Sequence, residues 1–177
     1  LAKARDFNNE SYQVVAVIGD GGMTGGMAFE ALNAAGGSNT DMIVILNDNQ
    51  MSISPTVGAF SKYLNKIVTR RSYNIIREGT KELVNLVSPE AGVVAKRLVG
   101  VLKGGSVFEE LGFRYVGSID GYDIESLLET LKTAQALKRP VLIHVITKKG
   151  KGYSYAENNP AQYHSVSGGL DLPTGEC

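Results

Sequence analysis

Apolar and polar positions along this chain fall into two kinds of block. Gln13-Val14-Val15-Ala16-Val17-Ile18 and Asp41-Met42-Ile43-Val44-Ile45-Leu46 are short, largely continuous apolar runs rich in β-branched residues. Runs of that length and kind are expected of parallel strands buried on both faces. Between them, Gly19–Gly26 is a glycine-rich turn, and Thr24 to Ala35 carries Met27, Glu30, Ala31 and Ala34 at helical spacing before the stop signal Gly36-Gly37. Strand, turn, helix, strand is a βαβ unit, predicted to be right-handed and parallel.

A second alternation follows. Phe108-Glu109-Glu110-Leu111-Gly112 ends a short helix, Phe113-Arg114-Tyr115-Val116 is a strand, and Asp120-Gly121 turns the chain. Asp123 is placed to cap a helix running to about Leu137, with Ile124, Leu127, Leu128, Leu131 and Ala134 as its apolar stripe. Val141-Leu142-Ile143-His144-Val145-Ile146 is a further buried strand. The fold class predicted is α/β, a doubly wound parallel sheet flanked by helices, in one domain over residues 1–177. Two segments stand apart. Residues 56–105 are mixed in polarity, with helical patterns near Ser61–Arg77 and Pro89–Lys103, and read as an insertion or mobile cover over the functional edge of the sheet. Residues 147–177 form a loop-rich tail.

Composition narrows the partners. Eighteen basic and 18 acidic residues give zero formal charge, which offers nothing to nucleic acid or an anionic membrane. The 21 glycines cluster at a few tight places, a pattern of turns and ligand loops and not of disorder. A single cysteine, Cys177, permits no internal disulfide and favours a reducing compartment. No apolar run approaches the roughly 18 residues of a membrane span. There is no signal-peptide pattern, but the chain opens on Leu1 within a helix-compatible stretch, so any targeting segment would lie upstream.

The chemistry sits where open α/β sheets bind ligands, beyond the carboxyl ends of strands. One strand end gives Gly19-Asp20-Gly21-Gly22 and another Asn47-Asp48-Asn49-Gln50-Met51-Ser52. If adjacent, they supply a carboxylate, a side-chain amide and a backbone carbonyl, hard oxygen ligands that suit magnesium completed by phosphate oxygens. The glycines let backbone amides approach a diphosphate at the start of the following helix. Gly-Asp-Gly alone is also an ordinary turn. The pairing gives it weight: residues 22 through 46, one helix and one strand, separate it from the asparagine cluster. A dinucleotide fingerprint fits less well, because Asp20 stands where the nucleotide would crowd it.

That spacing resembles the thiamine-diphosphate motif. Longer blocks resemble one family in particular, the 1-deoxy-D-xylulose-5-phosphate synthases: Ile18-Gly19-Asp20-Gly21, Met27-Ala28-Phe29-Glu30-Ala31, Ile45 through Ser54, Phe108 through Phe113, Thr147-Lys148-Lys149-Gly150-Lys151-Gly152-Tyr153, and Tyr163-His164. Transketolase is similar only in the general motif.

The resemblance implies a thiamine-diphosphate-binding fold of the diphosphate-binding type, with thiamine diphosphate and Mg²⁺ as cofactors. Asp20 and Asn49 would ligate magnesium by side chain and Met51 by its main-chain carbonyl, since its sulfur is a poor ligand for a hard cation. Gly21, Gly22 and Asn49 would face the cofactor, and Lys149 and Tyr153 its phosphate end. His164 would be the catalytic residue, near substrate, where imidazole can move protons around neutral pH. His144, mid-strand among apolar residues, reads instead as a hydrogen-bonded core histidine, and Arg70-Arg71 as a solvated helix face. One departure stands out: Tyr122 occupies a turn where the family usually has histidine, and tyrosine cannot take up a proton near neutral pH.

The implied reaction joins pyruvate to D-glyceraldehyde 3-phosphate with loss of CO₂, in a transferase of isoprenoid, thiamine and pyridoxal precursor synthesis. It would work as a soluble homodimer, cytoplasmic in a bacterium or in the plastid stroma of a plant, with no nucleic-acid or membrane partner. The family's pyrimidine-binding domain, with its glutamate, has no counterpart here, nor do its histidines upstream of the Gly-Asp-Gly strand. A fragment inactive by itself is therefore expected. The alternatives are another thiamine-diphosphate enzyme such as transketolase, or a non-catalytic α/β binding module.

Overall fold

Four runs rich in β-branched residues pair side by side in one all-parallel sheet. The structure, a computed structural model, describes residues 1–52, 54–69, 106–166, 168 and 170–175. Strands β1 (Val15–Gly19), β2 (Ile43–Asp48), β3 (Arg114–Asp120) and β4 (Val141–Ile146) lie in the order β1-β2-β4-β3. The two inner strands are the most apolar, and in β4 only Ile146 escapes full burial. The helices are α1 (Ala2–Phe7), α2 (Asp20–Met23), α3 (Gly26–Gly37), α4 (59–69), α5 (Ser106–Glu110), α6 (Ile124–Ala136) and α7 (Ser154–Asn158).

Alternation along the inner strands sorts side chains to two faces. Val44, Leu46 and Leu142 join Met23, Leu32, Leu64, Ile67, Phe108 and Phe113 in one core under α2 to α5. Ile43, Val141, Ile143 and Val145 join Ala134 in a second core, with Leu127 and Leu131 of α6 packed on it. Helices on both faces make the sheet doubly wound, as predicted. Burying each of these large side chains stabilises the fold by about 1.5–3 kcal/mol before entropy is counted. Asp123 caps α6 as expected: its carboxylate accepts from the Ser126 backbone N–H at 3.1 Å and from the Ser126 hydroxyl at 2.6 Å.

Several boundaries differ from the sequence reading. Gly19–Gly26 is not one turn: Asp20–Met23 makes a helical turn of its own, and the longer helix starts at Gly26. Strand β2 runs through Asn47 and Asp48 because β4 pairs with it to the end, Asn47 against Val145 and Asp48 against Ile146. Strand β3 continues to Asp120 by the same pairing. Within 56–105, residues 59–69 bury Leu64 and Ile67 in the core, so this part is packed structure. The expectation for 70–105, Arg70-Arg71 included, lies outside the described residues, as does Cys177. The tail is more regular than expected, with α7 and a 3₁₀ turn at Gln162–His164. Among the described residues no helix is long and apolar enough to cross a membrane.

Candidate functional site

The parallel register sets the strand ends side by side. Gly19 pairs with Asn47, and Asp48 with Ile146, so the segments after β1, β2 and β4 leave the sheet at one edge. The middle segment folds on itself. Asp48 Oδ1 accepts from the Gln50 N–H at 3.0 Å, and Asn49 Oδ1 from the Met51 N–H at 3.0 Å. Gln50 is held at φ +60°, Met51 bridges to Pro55, and the Thr56 N–H donates to the Gln50 carbonyl at 3.1 Å. Two consecutive side-chain turns thus close a tight loop from Asp48 to Thr56.

Asp20 opens α2 and is only 3% exposed. Its Oδ2 accepts from the Thr56 hydroxyl at 3.0 Å, which ties the two strand-end segments together. They also touch at Gly21, where a Cβ would stand 3.1 Å from Ser52 Cβ. Gly22 is placed differently: its missing side chain would meet Ile18, so it serves close packing onto β1. Lys149, after β4, reaches over the same loop, its ammonium donating to the Ser52 carbonyl and lying 2.6 Å from His164 Nδ1. Asp20, Gly21, Asn49, Met51, Lys149 and His164 therefore gather around one loop. Tyr153 lies further along the segment after β4. Its hydroxyl donates to the Leu172 carbonyl at 2.9 Å and its ring meets those of Tyr155 and Tyr163.

Burial holds the Asp20 carboxyl above the ordinary carboxylate range; the Thr56 hydroxyl pulls it down, and the Asp48 carboxylate pushes it up again. Asp20 makes no ion pair among the described residues. No group of three His, Cys, Asp or Glu side chains suited to a metal occurs among them either. One buried carboxylate beside an amide and a loop carbonyl is a donor set that fits a small hard dication bringing further oxygens of its own.

Four participants escaped the sequence reading. Thr56 belongs to no quoted motif and is found only through the loop's closure, while Ser52 ends the polar cluster without a role of its own. Asp48 was grouped with the polar cluster, and His144 with the core. The second assignment holds: His144 is wholly buried, with Nε2 2.8 Å from Asp48 Oδ2 and Nδ1 2.8 Å from the Tyr115 hydroxyl. The phenol of Tyr122 also has a clear place. It accepts from the Lys148 N–H and donates to the Lys148 carbonyl, both at 2.8 Å, joining the turn after β3 to the segment after β4.

A family model described as 1-deoxy-D-xylulose-5-phosphate synthase matches residues 1–147. The chain belongs to this family. The synthase from Nitrosococcus oceani is 48% identical over 171 residues, covering 94% of this chain and 27% of that protein. The synthase from Clostridium acetobutylicum is 48% identical over 184 residues, covering all of this chain and 29% of that protein. The chain thus spans little more than a quarter of the synthases it matches. Transketolase from Campylobacter jejuni is 23% identical and superposes with a TM-score of 0.60 over 97% of this chain and 21% of its own. At that identity the likeness is one of fold, and the fold agrees with the doubly wound sheet of this member of the synthase family.

Proposed function

We propose that this chain is the diphosphate- and magnesium-binding part of a 1-deoxy-D-xylulose-5-phosphate synthase. The whole enzyme joins pyruvate to D-glyceraldehyde 3-phosphate with release of CO₂, as a homodimer in isoprenoid, thiamine and pyridoxal precursor synthesis. The observation that carries the reading is the closed edge: a buried Asp20 bonded to Thr56, with Gly21 against Ser52. Asp20, Asn49 and the Met51 carbonyl would hold Mg²⁺, and the amides around Gly21 would face the diphosphate at the start of α2. When bound, thiamine diphosphate supplies the carbon nucleophile and stabilises the carbanion left by decarboxylation. Lys149 brings positive charge to the same loop and orients His164, whose Nε2 is left to move a proton at the substrate. Tyr153 acts more remotely, by anchoring the tail that carries His164.

Calorimetric titration of the chain with thiamine diphosphate and Mg²⁺ tests this. Binding that requires the metal and is lost in Asp20→Ala is the expected result. No metal-dependent binding, or binding indifferent to Asp20→Ala, refutes it and leaves a module that keeps the fold without the cofactor. Turnover is expected only when the pyrimidine-binding domain and its glutamate are supplied, so activity of these 177 residues alone would refute the assignment as a part.

A further inference from the structure

His144 lies two strands in from the edge strand β1, fully buried, yet it is bonded at both ring nitrogens. The sheet register explains how. Gly117 of β3 pairs with His144, and a Cβ there would stand 2.7 Å from the His144 carbonyl oxygen, so this glycine leaves room for the histidine strand to pass close. One residue pair away on the same face is Tyr115 of β3, and on the other side, one pair beyond Leu46, is Asp48 of β2. The imidazole spans this diagonal. A carboxylate only accepts, so Nε2 carries the hydrogen it presents to Asp48.

From Asp48 the hydrogen bonds run on without a gap. Asp48 Oδ1 holds the Gln50 N–H at 3.0 Å, the Gln50 carbonyl holds the Thr56 N–H at 3.1 Å, and the Thr56 hydroxyl holds Asp20 Oδ2 at 3.0 Å. We infer that His144 is a positioning residue of the cation edge. Anchored by Tyr115, it fixes the Asp48 carboxylate, which sets the Gln50 turn, which in turn sets Thr56 and Asp20. Without the histidine Asp48 could rotate, and the Gln50 turn would lose the acceptor that holds it at positive φ. The inference rests on the reading of Asp20 as a cation ligand only for its consequence in binding; its structural claim stands apart from any cofactor. Residues that hold ligands in place for a metal commonly set its affinity.

Amide hydrogen exchange of the full chain tests the structural claim, read as the rate at Gln50 relative to the β2 amides 43–46. In His144→Leu that ratio is expected to rise about tenfold or more, the loss of one buried hydrogen-bonded support. His144→Gln, whose amide can still donate to Asp48, is expected to bring the ratio back to within about threefold of the parent. Tyr115→Phe keeps the ring stacked on Phe108, with centroids 5.8 Å apart, and deletes only the hydroxyl. It is expected to raise the ratio severalfold, and it decides the matter if the leucine variant does not fold. A rise shared equally by the strand amides, or no rise in either variant, overturns the inference. A second arm titrates Mg²⁺ with thiamine diphosphate, where His144→Leu is expected to weaken binding about tenfold and His144→Gln to restore it. Failure of Asp20→Ala to affect binding would sink the cation reading while leaving the exchange result to judge His144. Loss of binding in Asp20→Ala with parental binding in His144→Leu would sink the role of His144 alone.

Discussion

Replacing Gly36 with alanine sets two known effects against each other, and the structure decides which wins. Gly36 lies near the end of α3, where alanine should gain up to about 1 kcal/mol in helix propensity. A Cβ at this position, however, would stand 1.7 Å from the Leu111 carbonyl oxygen, 2.9 Å from its carbon and 3.3 Å from Phe113 Cε2. The obstacle is backbone, and Gly112 meets it from the other side: a Cβ there would be 2.9 Å from the Gly36 carbonyl oxygen. To reach ordinary contact the α3 and α5 ends must part by more than about 1 Å, in a core that holds Phe108 and Phe113 at 0% and 2% exposure. Overpacking of side chains costs about 1–3 kcal/mol, and a clash with backbone belongs at or above the top of that range. Net destabilisation of about 2 kcal/mol or more is expected, a fall in Tm of roughly 4–8 °C for a chain of this size. Gly37→Ala is the internal control. It ends the same helix, has open space around it, and should be neutral or stabilising by up to about 0.5 kcal/mol. Urea unfolding of both variants at one temperature measures the difference. Equal effects of the two substitutions would refute the argument that contact, and not propensity, dictates glycine at position 36.

Two acids should respond to pH in opposite senses. Asp20 has its carboxyl raised, chiefly by burial, so the unliganded fold disfavours its charge; that penalty is absent below the ordinary carboxylate range and grows as pH rises through the folded value. Asp20→Asn should therefore stabilise the metal-free chain at neutral pH while abolishing Mg²⁺ binding, both checked by thermal melts with and without the ion. A melt unchanged by the substitution in both conditions would count against it. Asp123 is lowered, first by the Ser126 hydroxyl and then by the Ser126 N–H, so its contribution is full above the ordinary range and is lost as pH falls through the folded value. The stability gap between the parent and Asp123→Ala should accordingly narrow on acidification, followed by urea midpoints between about pH 2 and 6. A constant gap would refute the carboxylate cap.

Periodicity showed most of the fold because its signals are local. Val141–Ile146 is apolar at nearly every position and is a strand over those very residues; Asp123 caps because an acid before an apolar stripe can satisfy a helix start by itself. The errors fall where a partner elsewhere in the chain overrides local chemistry. Asn47 and Asp48 look like a polar stop, yet β4 offers a full ladder of partners and draws them into β2. Gly36-Gly37 does sit at a helix end, but Gly36 is there for Leu111, seventy-five positions away in sequence, which no spacing rule reveals.

The same division runs through the candidate site. Asp20, Asn49 and Met51 stood out as candidates because their chemistry and spacing coincide with a recurrent motif. Lys149 and His164 became candidates only through the family's longer blocks. Thr56 and His144 were not legible at all as parts of the site, since each acts by meeting something that only the register brings near. His144 makes the point most sharply. Its residue type in an apolar run says only that it needs partners. That those partners are Tyr115 and Asp48, and that one of them begins the loop carrying Asn49 and Met51, follows from strand order β1-β2-β4-β3. Had β3 stood between β2 and β4, the imidazole could not span from one side to the other, and the same sequence of side chains would leave the Gln50 turn without its anchor. A cation edge of the kind proposed would thus be specified twice, by a motif that supplies candidate ligands and by a topology that holds them in place.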